Sequence, residues 1–295
     1  MKNTVIILFT YNRVDLTQSV IESIKKNPLS ELYDLIIYSD GPKKKADIVN
    51  VESVRDFISD IDGFNTVTVV NREENFGLAK SIISGVNEAF KTYEKVIVLE
   101  DDLILSTNFL AFMQQGLEAF SENQKVMNIS GFSYNNNVGN GYDNFFWGRA
   151  TSWGWATWKD RWSKINWELP YSSEKELKKA AKGFNKFGYD LTGMLLKQYR
   201  NEINSWAIRW CYHQHHEKLL SVVPAKSKVT NHGFGAGATH CVEERHIEID
   251  FDVSNDSNFN FNLTPAIPRN TYKMYVKNYS ILKRIKEKIQ GKITK

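Results

Sequence analysis

The sequence predicts an α/β fold built on a mostly parallel sheet flanked by helices. Three observations point there: apolar runs too continuous for half-exposed strands, segments of four-residue apolar spacing between them, and a polar or glycine-bearing turn after each run. The first strand, Val5–Phe9, ends in Thr10-Tyr-Asn-Arg13, and Leu16, Val20 and Ile24 then share one helical face. Leu35–Ser39 reads as a second strand ending in Asp40-Gly41. A third, Thr66–Val70, leads into Asn71-Arg72, Asn75 and Gly77, and a helix follows through Leu78, Ile82, Val86 and Phe90. The fourth, Val96–Leu99, ends in Glu100-Asp101-Asp102, before a helix expected from near Thr107. Parallel strands joined by helical crossovers bring their C-terminal ends to one edge of the sheet, where ligands bind in such folds.

Beyond Gln124 the pattern changes. A short strand, Val126–Ser130, precedes a segment that holds six of the eight tryptophans: Trp147, Trp153, Trp155, Trp158, Trp162 and Trp167. A Lys/Glu-rich helix is expected over Ser173–Lys186, an amphipathic helix over Ser205–His216, and a glycine-rich stretch runs from Gly233 to His240.

Charge and composition exclude several function classes. The chain carries +4 overall, but Lys273–Lys295 holds seven lysines and Arg284 against Glu287 alone, a local +7 that leaves the rest at −3. A body of that charge does not bind nucleic acid globally. Cys211 and Cys241 have no paired spacing, so neither a disulfide framework nor a cysteine zinc site is expected. No apolar run is long enough to span a bilayer, and Val5–Phe9 is too short for a signal peptide, which gives a cytoplasmic expectation. No Gly-x-Gly-x-x-Gly follows the first strand and no Walker lysine motif occurs.

The strongest chemical signal is the strand end Glu100-Asp101-Asp102. Three adjacent like charges repel, and hard oxygen ligands suit Mg²⁺ or Mn²⁺ among them; a solvated acidic turn is the plainer alternative. Asp40 ends a neighbouring strand and could accept a hydrogen bond from a base or ribose. Asn75 and Gly77 enter a helix whose N-terminal amides favour an anion, with Lys80 one turn inside.

Together, Thr10-Tyr-Asn-Arg13, Ser39-Asp-Gly41, Asn71-Arg-Glu-Glu-Asn-Phe-Gly-Leu-Ala-Lys80 and Leu99-Glu-Asp-Asp102 resemble a GT-A glycosyltransferase of the family 2 type, with a Glu-Asp-Asp form of the Asp-x-Asp motif. Ser152-Trp-Gly-Trp-Ala-Thr-Trp-Lys-Asp-Arg-Trp162, Asn204-Ser-Trp-Ala-Ile-Arg-Trp210 and Gly235-Ala-Gly-Ala-Thr-His240 resemble bacterial sugar transferases of this group. The resemblance, over about residues 3–241, implies a Rossmann-related GT-A sheet with a nucleotide-sugar donor half at 1–125, a mixed acceptor half at 126–241 and an extension at 242–295. It implies metal-dependent, inverting transfer from a nucleotide sugar, most often a UDP-sugar, to a glycan or lipid-linked saccharide in surface polysaccharide synthesis. A non-catalytic carbohydrate-binding protein and a nucleotidyltransferase on a related fold are the alternatives.

By position, the resemblance makes Asp102 the metal ligand, with His240 closing the site, and places Asp101 and Glu100 beside the donor. Thr10, Tyr11, Asn12 and Arg13 wall the nucleotide and Asp40 reads the base; Asn75, Gly77 and Lys80, at the anion-favouring helix start, are expected to complete the donor site, an exposed helix lysine being the alternative for Lys80. Trp153 and Trp155, flanking Gly154, are expected to line the sugar pocket, most of the other tryptophans being core. An inverting transfer needs a carboxylate base, yet the family position for it reads Asn204, and an amide cannot serve. Glu202 and Asp160 are the substitutes by proximity. In the tail, Ile281, Ile285, Ile289 and Ile293 recur among cationic residues, a stripe that fits a helix lying on an anionic membrane surface or docked on the body.

Overall fold

The computed structural model describes residues 3–135, 138, 141–233, 247–283, 285, 286 and 289. Strand β1 (Thr4–Thr10) is followed by helix α1 (Val14–Lys25), β2 (Asp34–Ser39), α2 (Ile48–Ile58), β3 (Thr66–Asn71), α3 (Gly77–Ala89) and β4 (Lys95–Glu100). These four strands lie in the order β3-β2-β1-β4, all parallel. In β1, β2 and β4 the continuous apolar runs are explained by burial on both faces, whereas β3, at the sheet edge, has none of its six residues buried, so its run is that of a half-exposed strand. Ile6 and Leu8 pack with Leu35, Ile37 and the faces of α1 and α2, while Val5, Ile7 and Phe9 pack with Ile82 and Val86 of α3.

The second half is mixed. After β5 (Leu103–Leu105) and α4 (Phe109–Ala119) come β6 (Val126–Ser130), β7 (Asn144–Trp147), β8 (Trp155–Trp158) and the single turn α5 (Lys159–Trp162). Next are α6 (Glu174–Ala180), α7 (Leu191–Tyr199), α8 (Trp206–His216), β9 (Leu220–Pro224), β10 (Val229–Asn231) and α9 (Arg269–Tyr275). The sheet continues β4-β8-β6-β9-β7, with β8 antiparallel to both its neighbours and β7 antiparallel to β9. The helix expected over Ser173–Lys186 is broken: α6 ends at Ala180, Gly183 turns left-handed at φ 83°, and a short 3-10 turn, Phe184–Phe187, follows.

The C-terminal extension is part of this body. Lys228 and Asp252 form a buried ion pair, and the Phe259 and Phe261 rings lie 5.2 Å from Phe112 of α4. Tyr275 of α9 packs 4.9 Å from Trp147. Among the described residues no helix is long and apolar enough to cross a membrane.

Candidate active site

The register sets Thr10 beside Ser39 and Ser39 beside Asn71, with Glu100 next to Phe9, so four polar strand ends meet at one edge. Their side chains are tied to one another. The Asp40 carboxylate accepts the backbone N–H groups of Phe76 (2.9 Å), Gly77 (3.0 Å) and Gly41 (3.2 Å), which fixes the entry to α3. Asn75 Nδ2 donates to the Gly41 carbonyl at 2.8 Å. Gly77 has φ 68°, and a Cβ on Gly41 would stand 2.5 Å from the Glu74 carbonyl carbon, so both positions require glycine. Buried Arg72 lies 4.0 Å from Asp40, and its guanidinium covers the Phe76 ring at 4.5 Å. Lys80 is exposed, its Nζ 3.8 Å above the same ring.

On the other side of the edge, Thr10 Oγ1 donates to the Tyr38 carbonyl at 3.4 Å, and Asn12 is half-buried. The Tyr11 hydroxyl donates to Asp47 at 2.8 Å and accepts from the Lys43 N–H at 3.0 Å. Arg13 reaches the carboxylates: it is ion-paired with Asp101 and lies 3.2 Å from Asp102. One guanidinium thus pairs with two of the three consecutive acids. Burial pushes Asp101 up to about 6, against the pull of Arg13. Burial, with the Asp102 and Asp101 charges, raises Glu100 well above the ordinary carboxylate range. Asp101 Oδ2 is buried without a hydrogen-bond partner. Such a site is rich in hard oxygens and short of positive charge, which fits Mg²⁺ or Mn²⁺.

Asp102 is also held from the far end of the chain. Strand β10 pairs antiparallel with β5, Asn231 opposite Leu103. Asn231 Nδ2 donates to Asp102 Oδ1 at 3.1 Å, and the His232 N–H donates to the Asp102 carbonyl at 2.8 Å. A Cβ on Gly233 would collide with the Asp102 carboxylate. The sequence offered Gly233 only as the start of a glycine-rich run; Asn231, and Asp47 beside Tyr11, went unread because each contact joins distant segments. His240 lies outside the described residues. Among the described residues no three His, Cys, Asp or Glu side chains group as a metal cage, so a cation here would draw further ligands from substrate oxygens, as Mg²⁺ often does.

Two expected site residues lie elsewhere. Trp155 is fully buried on β8, its ring 4.4 Å from Trp210, 5.3 Å from Trp206 and 5.6 Å from Trp162, and so belongs to the core. Trp153 is half-buried against Phe132 at 4.5 Å. Asp160 follows the C-terminal end of β8, and antiparallel pairing puts Trp158 beside Lys95 at the start of β4. Five strand steps, roughly 17 Å, separate that level from Glu100. Asp160 is instead bound by Arg161 at 2.7 Å and Gln124 at 3.1 Å. Glu202 is exposed in the turn before α8, 3.6 Å from Arg200, and Asn204 accepts from Arg209 at 3.1 Å. A cavity of about 480 Å³ between α1 and α4, lined by Lys26, Pro28, Leu110 and Gln114, contains none of these groups. Size therefore does not mark the site here; the uncompensated carboxylates do.

No curated protein matches the chain. Among solved structures, mannosyltransferase PcManGT from Pyrobaculum calidifontis, in complex with GDP-Man and Mn²⁺, is similar at 14% identity and TM-score 0.41, over 61% of this chain and 51% of that one. S. aureus TarS 1-349 is similar at 12% identity and TM-score 0.37, over 76% of this chain and 58% of that one. Glucosyl-3-phosphoglycerate synthase from Mycobacterium tuberculosis, in complex with Mn²⁺, UDP and glucosyl-3-phosphoglycerate, gives 18% and 0.30 over 44% of each chain. This chain spans about half the length of these solved proteins. The sequence model of glycosyl transferase family 2 matches residues 5–186, which take in all four parallel strands, the carboxylate triplet and the tryptophan segment. The chain belongs to glycosyl transferase family 2.

Proposed function

We propose that this protein transfers a sugar from a nucleotide-sugar donor, a UDP-sugar by resemblance, to a saccharide acceptor, with inversion. The observation that carries this reading is the strand end where Asp101 and Asp102 share the guanidinium of Arg13 beside the third carboxylate of Glu100. A bound Mn²⁺ or Mg²⁺, held by Asp102, would supply the positive charge that a departing diphosphate needs. Arg13 and the carboxylates orient that end of the donor, and the amides at the start of α3, with Lys80 one turn in, suit its phosphates. Tyr11, Asn12 and Asp40 frame the nucleoside, while half-buried Trp153 offers an aromatic surface nearer the sugar. Glu202, on the exposed turn before α8, is the base that would take the acceptor proton.

Calorimetric titration with UDP and Mn²⁺ tests the donor site. Asp102→Asn is expected to weaken metal-dependent UDP binding at least tenfold while the protein stays folded, because one less charge lowers cation affinity yet relieves repulsion. Equal affinity in the variant would sink the metal role.

The same reading extends to an acceptor carried on lipid at the inner face of a membrane. Ile281, Leu282, Ile285 and Ile289 are exposed. Each lysine or arginine near an anionic surface contributes about 1 kcal/mol, so the basic tail could hold the enzyme there reversibly. Sedimentation with phosphatidylserine vesicles should retain the full chain at low salt and release it at high salt. Equal retention after truncation at Tyr279 would refute the anchor.

A further inference from the structure

Both oxygens of the Asp102 carboxylate are engaged. Oδ1 accepts from Asn231 Nδ2 at 3.1 Å, and Oδ2 accepts from Arg13 Nη2 at 3.2 Å. The same Nη2 donates to Asp101 Oδ1, so one guanidinium nitrogen bridges two carboxylates at the oxygen that β10 leaves open. We propose that Arg13 is an exchangeable occupant of the cation position: its guanidinium holds Asp101 and Asp102 in the metal-free protein, yields them to a divalent cation, and turns to the diphosphate of the donor. The proposal rests on the donor-site reading and adds to it a coupling between metal and nucleotide.

Three observations support the exchange. The backbone of Arg13 is anchored, since its carbonyl accepts the Thr17 N–H at 3.0 Å and the Thr17 hydroxyl at 2.9 Å, so release needs only rotation of the side chain. That side chain is 19% exposed where Asp101 is 6% exposed, so the guanidinium can leave while the acid stays buried. The fork is also underused. Arg149 grips Asp190 with both Nη1 and Nη2, at 2.7 and 3.1 Å, as a fixed structural pair does. Among the described residues Arg13 spends Nη2 alone, which leaves Nε–H and the two Nη1 N–H groups for phosphate oxygens.

Charge supplies the third argument. Two ionised aspartates share one guanidinium, and Asp101 Oδ2 is buried with no partner, so the pair is undercompensated and favours a stronger cation. A divalent ion balances both carboxylates, whereas a guanidinium retained beside it would be repelled as a like charge. The freed arginine then meets the diphosphate, an anion it binds well. Because the arginine gives up its carboxylates in one event and regains a partner in the other, each ligand assists the other, and the coupling is reciprocal.

The experiment titrates the full chain with Mn²⁺ at pH 7.5, reading the paramagnetic resonance of the free ion, with and without saturating UDP and with the Mn²⁺ held by UDP in solution subtracted. In the native protein UDP should tighten Mn²⁺ binding by about tenfold or more. Arg13→Gln should bind Mn²⁺ alone about tenfold or more tightly than the native protein, and UDP should then add less than about threefold. Damage to the fold would weaken binding, so a gain reports the lost competitor. Arg13→Lys keeps the charge without the fork, and should bind Mn²⁺ alone as the native protein does while its coupling to UDP falls. Unchanged or weaker Mn²⁺ binding in folded Arg13→Gln would overturn the exchange; if that variant does not fold, full coupling in Arg13→Lys would do so. Asp102→Asn separates the two readings. If it leaves Mn²⁺ affinity unchanged, the donor-site reading fails and the exchange with it; if it lowers that affinity while Arg13→Gln does not raise it, the exchange alone fails.

Discussion

The two edges of the sheet each carry aspartates next to an arginine, and they are opposite in electrostatic condition. At the N-terminal edge of the parallel strands, Asp160 is matched by its own Arg161 and by Gln124, and it faces solvent. Burial works against that carboxylate, yet these hydrogen bonds outweigh it and hold its pKa below the ordinary value. At the C-terminal edge, Arg13 is shared, Asp101 is buried with one oxygen unpartnered, and its pKa rises to about 6. Acids alone do not mark a site. What marks it is a set of acids for which the protein supplies too little positive charge.

The sharpest way to break this contrast is turnover. Glu202→Gln is expected to lower sugar transfer by about two to four orders of magnitude with UDP binding intact, the usual scale for a lost general base. Asp160→Asn, at the satisfied edge, should transfer at the parent rate. Parent activity in Glu202→Gln, measured with any accepted donor, would remove that base.

A smaller effect is expected from the clasp on Asp102. Gly233→Ala should cut Mn²⁺-dependent UDP affinity about tenfold, because the added methyl must push the carboxylate out of place. Calorimetry that finds native affinity would show that the clasp does not orient Asp102.

The smallest effect is in stability, and there the sign distinguishes the edges. The Asp101 pKa is raised on folding, so its folded state holds the proton longer, and stability declines as pH rises from about 4 through about 6. Asp101→Asn should therefore melt at a higher temperature than the parent at pH 7.5 without metal, with the gain shrinking toward pH 4. The Asp160 pKa is lowered, so its contribution is present above about 4 and is lost as pH falls through the folded value. Because Asp160 is exposed, Asp160→Asn should cost under about 1 kcal/mol at pH 7.5. Thermal melts across pH that moved both variants in the same direction would end the distinction.

The parallel half was legible because its signals are local: continuous apolar runs, four-residue spacings and polar strand ends all lie within a few residues of one another. The other half was not, for reasons visible in particular residues. Trp153 and Trp155 share a strand parity, but Gly154, at φ 59°, turns the chain between them. Trp153 then packs with the α1 and α4 side of the sheet and Trp155 with the α3 and α8 side. Asp160 misled because a sequence carries no sign for strand direction, and the antiparallel sense of β8 alone sends it to the far edge. The hold of Asn231 on Asp102 crosses 129 residues and has no local signature at all.

That long reach also bears on how the protein comes into being during translation. At roughly 5–20 residues per second, Asn231 is added on the order of 6–26 s after Asp102. During that interval the four parallel strands can already form, since their pairings close within the first hundred residues. The carboxylate triplet then waits on a nascent chain without its clasp, and non-local pairing of this kind forms slowly. Completion of the β5–β10 pair therefore comes after the parallel strands can have formed. On a ribosome-stalled chain, secondary structure would report success well before the site is ready to hold a donor.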